Sequence, residues 1–180
     1  MVEQNTSRKY LPEFVYGAID GTVTTFAVVA GSLGASLSLS VILILGFANL
    51  IADGFSMAVA NYLSVKSQTE LHRRHGDYQE YVRLGKHPFK TAAATFLSFV
   101  VIGFIPLISF ILSLFLPFVQ RHAFIYSIAL TAFALLVIGG VKAEIVKKPL
   151  MRSALETLVI GGIAALLAFG VGYFLRSLLI

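Results

Sequence analysis

The chain has 180 residues, of which 57% are hydrophobic and 13% are charged, and its formal net charge is +5. Soluble domains carry a charged fraction of about 25%, so this composition indicates an integral membrane protein. Cysteine is absent, which excludes disulfides and thiolate metal or redox sites. The basic residues cluster between long apolar runs, a pattern that orients a protein in a membrane and does not suggest nucleic-acid binding.

Five apolar segments are long enough to cross a bilayer, which requires about 20 mostly apolar residues. They are residues 14–37, 41–64, 91–115, 123–141 and 154–175. A tight uncharged turn joins the first two, a polar connector (residues 65–90) separates the second from the third, and Pro106 predicts a kink in the third. We therefore predict an all-α protein that forms a single domain of five transmembrane helices over residues 1–180.

The distribution of lysine and arginine predicts the orientation of these helices. With the N-terminus in the cytoplasm, one side of the membrane holds most of the basic residues: Arg8, Lys9, Lys66, Arg73, Arg74, Arg83, Lys86, Lys90, Lys142, Lys147, Lys148 and Arg152. The other side holds Arg121 and Arg176. Because cytoplasmic flanks carry the excess of Lys and Arg, we predict a cytoplasmic N-terminus and a C-terminus outside.

Two aspartates, Asp20 and Asp53, lie inside the first two apolar segments. An ionisable side chain in lipid costs several kcal/mol (about 3 by insertion scales) and is retained mainly where it lines a polar path or has a partner. In the second segment Asn49, Asp53 and Met57 recur every four residues, which places them on one face of a helix. The sequence therefore predicts a polar stripe within the membrane.

The depth of these side chains follows from a helical rise of 1.5 Å per residue. Asp20 lies about 9 Å from the cytoplasmic end of the first helix, whereas Met57 lies about 10 Å and Asp53 about 16 Å from the same end of the second. We therefore predict that Asp20 and Met57 meet at one level, with Asp53 above them. Carboxylate, amide and thioether groups suit Fe²⁺ or Mn²⁺ better than Mg²⁺ or Ca²⁺, which prefer oxygen alone. The candidate metal ligands are Asp20, Met57, Asp53 and Asn49.

Simpler structural roles are open for the same side chains. Asp20 could reach water at the end of its helix, Asn49 could hydrogen-bond to a neighbouring helix, and Met57 could fill the core.

The polar connector contains a second group of possible ligands. Its histidines and acidic residues are Glu70, His72, His75, Asp77 and Glu80. The two histidines are three residues apart, so on a helix they can face one way and bind a metal together with a carboxylate. The alternative is a basic amphipathic segment that lies on anionic lipid headgroups.

Glu144 and Glu156 lie near the cytoplasmic ends of the fourth and fifth helices. They are possible entrance residues, or they pair with Lys142, Lys147 or Arg152 at the membrane interface.

Three motifs carry a family resemblance: DGTVTTFAVVAG at residues 20–31, ANLIADGFSM at 48–57 and NYLSVKS at 61–67. They resemble the vacuolar iron transporter family. The likeness continues in the third helix through TFLSF and GFIPL, extends weakly into the fifth, and covers nearly the whole chain from Val15 onward.

The resemblance implies a homodimer of five-helix subunits that exports Fe²⁺ or Mn²⁺ from the cytosol, in exchange for protons and without a permanently bound cofactor. The family's ion-site aspartate falls on Asp20 and its methionine on Met57. Plant-type members carry a glutamate where this chain has Asn49, and the nearby carboxylate here is Asp53. They also carry a long glutamate-rich cytoplasmic domain, for which residues 65–90 are too few. We therefore expect a short member of prokaryotic type in the cell (inner) membrane, with a vacuolar or other organelle membrane as the alternative.

The sequence leaves three classes of function to compare: a transporter, a protease and a scaffold. A secondary transporter is favoured, because no phosphate-binding loop of the form G-x-x-x-x-G-K-[ST] is present. An intramembrane aspartyl protease would use two aspartates that share a proton, but the motifs read Asp-Gly and the predicted depths separate the carboxylates. A non-transporting scaffold would not need intramembrane carboxylates. We therefore predict that the protein is not an enzyme.

Overall fold

A computed structural model describes residues 9–75 and 85–179. These residues form helices and no strands, and the helices in chain order are α1 (Leu11–Gly34), α2 (Leu39–His75), α3 (Pro88–Gly103), α4 (Ile105–Ser113), α5 (Pro117–Gln120), α6 (Ala123–Val146) and α7 (Leu150–Leu179). Five stretches are long and apolar enough to span a membrane, namely α1, α2, α3 with α4, α6 and α7. The predicted all-α integral membrane protein with five spanning helices is confirmed.

Helix α2 extends beyond the end that the sequence predicted. The apolar run stops at residue 64, but the helix continues to His75, so the first part of the predicted connector is helical. No glycine or proline occurs between Gly54 and His75, and Lys66 lies 4.0 Å from Glu70 as an i,i+4 ion pair. Loss of hydrophobicity marks where a helix leaves the apolar layer, whereas helix termination needs a residue that breaks the backbone pattern.

The third span is interrupted near Pro106, as predicted. Helix α3 ends at Gly103 and α4 begins at Ile105, because proline has no N–H to continue the backbone ladder. The carbonyl of Pro106 accepts a 2.7 Å hydrogen bond from the Ser127 hydroxyl of α6. The break is thus tied to a neighbouring helix by a buried side chain.

Helix α1 lies at the centre of the bundle, where it packs against α2, α3, α6 and α7. Its first half contacts the backbone of α3: a Cβ added at Gly21 would lie 2.4 Å from the Phe99 carbonyl oxygen. Its second half contacts the backbone of α7: a Cβ at Gly172 would lie 2.0 Å from the Gly31 carbonyl oxygen. Glycine is therefore required where these helices approach one another most closely.

Successive spans alternate in direction. Consequently the N-terminal ends of α1, α3 and α7 and the C-terminal ends of α2 and α6 lie together, and we call this the basic end. Its described lysines and arginines are Lys9, Lys66, Arg73, Arg74, Lys86, Lys90, Lys142, Lys147, Lys148 and Arg152. Within the described ranges, the opposite end has Arg121 and Arg176. The remaining two basic residues of the prediction, Arg8 and Arg83, lie outside the described residues.

The α1–α7 contact predicts unequal effects of two substitutions on the same helix. We expect Gly172→Ala to lower the apparent melting temperature in detergent, because overpacking typically costs about 1–3 kcal/mol. Gly170 has no atom within 4 Å of an added Cβ, so Gly170→Ala should leave stability unchanged or raise it by up to about 1 kcal/mol through helix propensity. Equal melting temperatures for the two variants would contradict the contact.

Candidate functional site

One hydrogen bond and one shared pocket indicate the register between the antiparallel helices α1 and α2. The Asn49 side-chain amide donates a 3.4 Å hydrogen bond to the Thr24 hydroxyl. About two turns closer to the basic end, Tyr16 and Met57 line the same pocket. Because both pairs are equally spaced along their helices, Asp20 lies opposite Asp53.

This register corrects the predicted depth order. Asp53, and not Met57, is level with Asp20, and Met57 lies one turn nearer the basic end. The prediction measured each depth from the last apolar residue. Because α2 continues past its last apolar residue to His75, that residue does not mark the end of the helix, and depths counted from it are offset.

Both aspartates are half-buried. They lie on the faces of α1 and α2 that meet, and each retains some exposure in the single chain. Asn49 and Met57 are half-buried too, and Met57 also packs against the core cluster that contains Leu50 and Phe99. Met57 therefore both packs against the core and lines the pocket.

Hydrogen bonds fix the polar side chains that flank the aspartates. The Thr24 hydroxyl donates a 2.8 Å bond to the Asp20 backbone carbonyl and accepts from the Asn49 amide nitrogen. Because the nitrogen of Asn49 is engaged, its side-chain oxygen is the atom that can bind a cation. Asn61 donates a 2.6 Å bond to the Thr95 hydroxyl of α3, so it holds α2 against α3.

A pocket of about 380 Å³ opens between α1 and α2 at the basic end. The side chains around it are one carboxylate, one thioether, one amide, one phenol and two small apolar groups: Glu13, Met57, Asn61, Tyr16, Pro12 and Ala60. The pocket lies on the basic-end side of the facing aspartates. The polar groups of α1 and α2 therefore form a series that runs from this pocket to the level of Asn49.

Sequence reasoning missed Glu13. Its carboxylate forms an ion pair with Lys86, which lies just before α3. A signal was present in the sequence, since Glu13 is seven residues before Asp20 and so shares its helix face. The predicted span began at residue 14, so this carboxylate was left outside it.

Only two of the five residues of the predicted accessory metal site, Glu70 and His72, have side chains that the structure describes. Glu70 is exposed and pairs with Lys66, and His72 is partly buried on α2. His75 belongs to the same helix, whereas Asp77 and Glu80 lie outside the described residues. No group of three or more His, Asp or Glu side chains with metal-binding geometry occurs in the part of the chain that is described.

Glu144 and Glu156 belong to α6 and α7, neither of which lines the pocket. Glu156 lies 3.9 Å from Lys142 and 4.0 Å from Lys148. For Glu156 these contacts favour interfacial ion pairing. Glu144 is exposed.

The fold and this site define an integral membrane protein whose first two spans carry facing ionisable groups. The profile of the VIT family matches residues 11–82 and 73–173. The chain therefore belongs to the VIT family.

Individual relatives agree with this assignment. Vacuolar iron transporter 1 of Eucalyptus grandis is 27% identical over 225 aligned positions, which cover 96% of this chain and 89% of the relative. Vacuolar iron transporter homolog 1 of Arabidopsis thaliana is 31% identical over 90% of this chain and 81% of its own length. A vacuolar iron transporter of Toxoplasma gondii is 46% identical over 66 residues, which are 37% of this chain and 22% of that protein.

The alignment lengths bear on the expectation that some relatives carry a domain for which residues 65–90 of this chain are too few. The Eucalyptus grandis alignment has 225 positions although this chain has 180 residues, so that relative carries additional residues. The two pieces of the family match overlap at residues 73–82, which begin in the last turn of α2 and continue toward α3. Both observations agree with the expectation that some relatives have a segment here that this chain lacks.

These relatives bear on the protease alternative as well. The predicted difference in depth between the two carboxylates no longer argues against a protease, because Asp20 and Asp53 lie at one level. The relatives are nevertheless named as transporters, and the chain is not an enzyme.

The register of α1 and α2 is testable because the chain contains no cysteine. We expect the double variant Asp20→Cys/Asp53→Cys to be cross-linked within one chain by a short thiol reagent, because these side chains face one another. The matched pair Asp20→Cys/Met57→Cys, one turn out of register, should cross-link more slowly. Mass spectrometry of the linked peptides measures both yields, and a faster reaction of the second pair would restore the depth order predicted from sequence.

Proposed function

We propose that this protein is a secondary transporter that exports Fe²⁺ or Mn²⁺ from the cytosol in exchange for protons. The observation that carries the proposal is the pair of half-buried carboxylates, Asp20 and Asp53, which the Asn49–Thr24 hydrogen bond places opposite one another within two membrane-spanning helices. Such groups are expensive in an apolar layer unless they bind a cation or line a polar path. The names of the relatives, vacuolar iron transporters, point to iron as cargo.

The chemistry of the surrounding groups supports a transition metal of borderline softness. Asp20 and Asp53 offer carboxylate oxygens, Asn49 offers an amide oxygen on one side of them, and Met57 offers a thioether on the other. Mg²⁺ and Ca²⁺ prefer all-oxygen sites, whereas Fe²⁺ accepts mixed ligands. We propose Asp20 and Asp53 as the principal ligands and Met57 and Asn49 as ligands above and below them along the path.

Proton exchange follows from the same carboxylates. A carboxylate within a membrane can carry a proton as well as a metal ion. Metal and proton therefore compete for Asp20 and Asp53, and release of one cargo permits binding of the other. Alternation of access between the two sides is the general behaviour of secondary carriers.

The basic end is proposed to face the cytoplasm, because cytoplasmic flanks carry the excess of Lys and Arg. The pocket beside Glu13 and Met57 then opens to the cytosol. This orientation places the N-terminus inside and the C-terminus outside. A prokaryotic inner membrane is the membrane we propose, with an organelle membrane as the alternative.

A homodimer is proposed to cover the polar face of α1 and α2. Both aspartates retain exposure in the single chain, and lipid would be an unfavourable neighbour for them. Next to the polar stripe, α2 exposes small side chains every four residues, namely Ala48, Ala52, Ser56 and Ala60. Small residues at this spacing allow a second helix to approach closely.

Transport in proteoliposomes tests the proposed ligands. We expect Asp20→Ala and Asp53→Asn to lower the initial rate of Fe²⁺ or Mn²⁺ uptake at least roughly tenfold, the scale on which loss of a metal ligand or its support acts. Met57→Ala should shift selectivity from Fe²⁺ toward harder ions, because it removes the soft ligand. Internal pH recorded during uptake measures proton exchange.

A matched control removes a buried polar group elsewhere. Ser109 on α4 has a hydroxyl that finds no hydrogen-bond partner within the described part of the chain, and it does not line the pocket. Ser109→Ala should therefore transport like the wild type. If Asp20→Ala moved metal at the wild-type rate, the proposed site would be wrong. Metal flux without an opposing proton flux would reject the exchange mechanism and leave metal transport intact.

The proposed dimer predicts a face-specific cross-link between chains. We expect Ala52→Cys, on the exposed small-residue face of α2, to give an intermolecular product with a short thiol reagent in native membranes. Leu166→Cys on α7 is the control, since Leu166 is 73% exposed but lies on another helix. Gel mobility reports the product, and equal cross-linking of both variants would reject α2 as the interface.

A further inference from the structure

The pocket at the basic end contains the carboxylate of Glu13, of which one oxygen is paired within the described part of the chain and the other is not. One oxygen of Glu13 forms an ion pair with Lys86, and the other, Oε2, is buried and has no hydrogen-bond partner among the residues that the structure describes. The Glu13 side chain is 12% exposed and that of Lys86 is 32% exposed. A buried carboxylate oxygen without a donor has unused capacity to bind a cation.

The backbone next to Lys86 is held in place against α1, and this positions the Lys86 ammonium group beside the Glu13 carboxylate. The N–H of His87 donates a 3.1 Å hydrogen bond to the Tyr10 hydroxyl, which ties the start of α3 to the start of α1. Farther along, a Cβ at Gly17 would lie 2.5 Å from the Thr95 carbonyl oxygen, so the two helices are in backbone contact. Lys86 immediately precedes a helix that contacts α1 on both sides of Glu13, at Tyr10 and at Gly17.

The surroundings of Glu13 match a cation that is softer than an ammonium group. Met57 and Asn61 line the same pocket and offer a thioether and an amide. A lysine ammonium is a compact point charge with donors only, so it makes use of the carboxylate alone. A divalent transition metal could bind the carboxylate together with the thioether.

We propose that Lys86 is a tethered cation that occupies Glu13 at the mouth of the path, and that an incoming divalent transition metal must displace it. The inference rests on the proposed transport function and adds an entrance site to it. A monovalent ion brings no more charge to Glu13 than Lys86 already supplies, whereas a divalent ion brings twice as much. The ion pair thus selects for divalent cations, and it keeps the pocket neutral when no metal is bound.

The first test compares two lysines at the start of α3. We expect Lys86→Gln to lower the half-saturating Mn²⁺ concentration for uptake roughly two- to fivefold, the range that loss of a partly exposed ion pair allows. Lys90→Gln removes the same charge from an exposed position in the first turn of α3, and should leave this concentration unchanged. In a Glu13→Gln background, Lys86→Gln should have no further effect, because its partner is gone.

A second test does not depend on transport. Ala60 lines the pocket, and in this cysteine-free chain Ala60→Cys provides a single reactive thiol. We expect Lys86→Gln to speed labelling of this thiol by a water-soluble maleimide, and Mn²⁺ to slow it at lower concentration than in the Lys86 parent. Lys90→Gln should label like the parent.

The outcomes separate the two proposals. If Lys86→Gln and Lys90→Gln gave the same half-saturating Mn²⁺ concentration and the same labelling rate, the entrance role of Lys86 would be overturned. If Lys86→Gln changed Mn²⁺ protection of the thiol while Asp20→Ala transported normally, the entrance site would stand and the proposed ligands deeper in the membrane would be wrong.

Discussion

Close backbone contact of α1 with α3 and α7 is the constraint on which the rest of the structure depends. Gly21 of α1 lies against α3 and Gly31 of α1 lies against Gly172 of α7, and a methyl group added at Gly21 or at Gly172 would collide with a carbonyl oxygen. Because these contacts fix the rotation of α1, its polar face is directed toward α2. The position of Asp20 in the site is thus a consequence of packing elsewhere on the same helix.

The polar groups of α1 and α2 form one ordered series because both helices are rotated in this way. The series begins with Glu13 at the basic end, continues through Met57, reaches the facing aspartates Asp20 and Asp53, and ends at Asn49. The carboxylates and the amide of this series would be unfavourable on a lipid-facing surface. Together they offer a cation successive partners from the membrane boundary to the level of the aspartates, which is what a transport path requires.

The sequence predicted much of this arrangement correctly and misjudged the rest for identifiable reasons. Five spans and the break at Pro106 followed from apolar length and from a missing N–H. The predicted pairing of Asp20 with Met57 was wrong because depth was measured from the end of the apolar run, while α2 continues to His75. Glu13 was overlooked because a carboxylate near a helix end has an unremarkable explanation until its buried oxygen is seen.

By itself the sequence determined that this protein is an all-α membrane protein, which residues are ionisable within the apolar layer, and which family motifs it carries, because hydrophobicity, charge and residue order are properties of the chain. The tertiary structure decided which polar groups meet. It placed Asp20 opposite Asp53, gave Glu13 its partner Lys86, and brought Met57 to the pocket. The reason is that helix register and rotation depend on contacts between distant segments, and these contacts arise only when the helices pack.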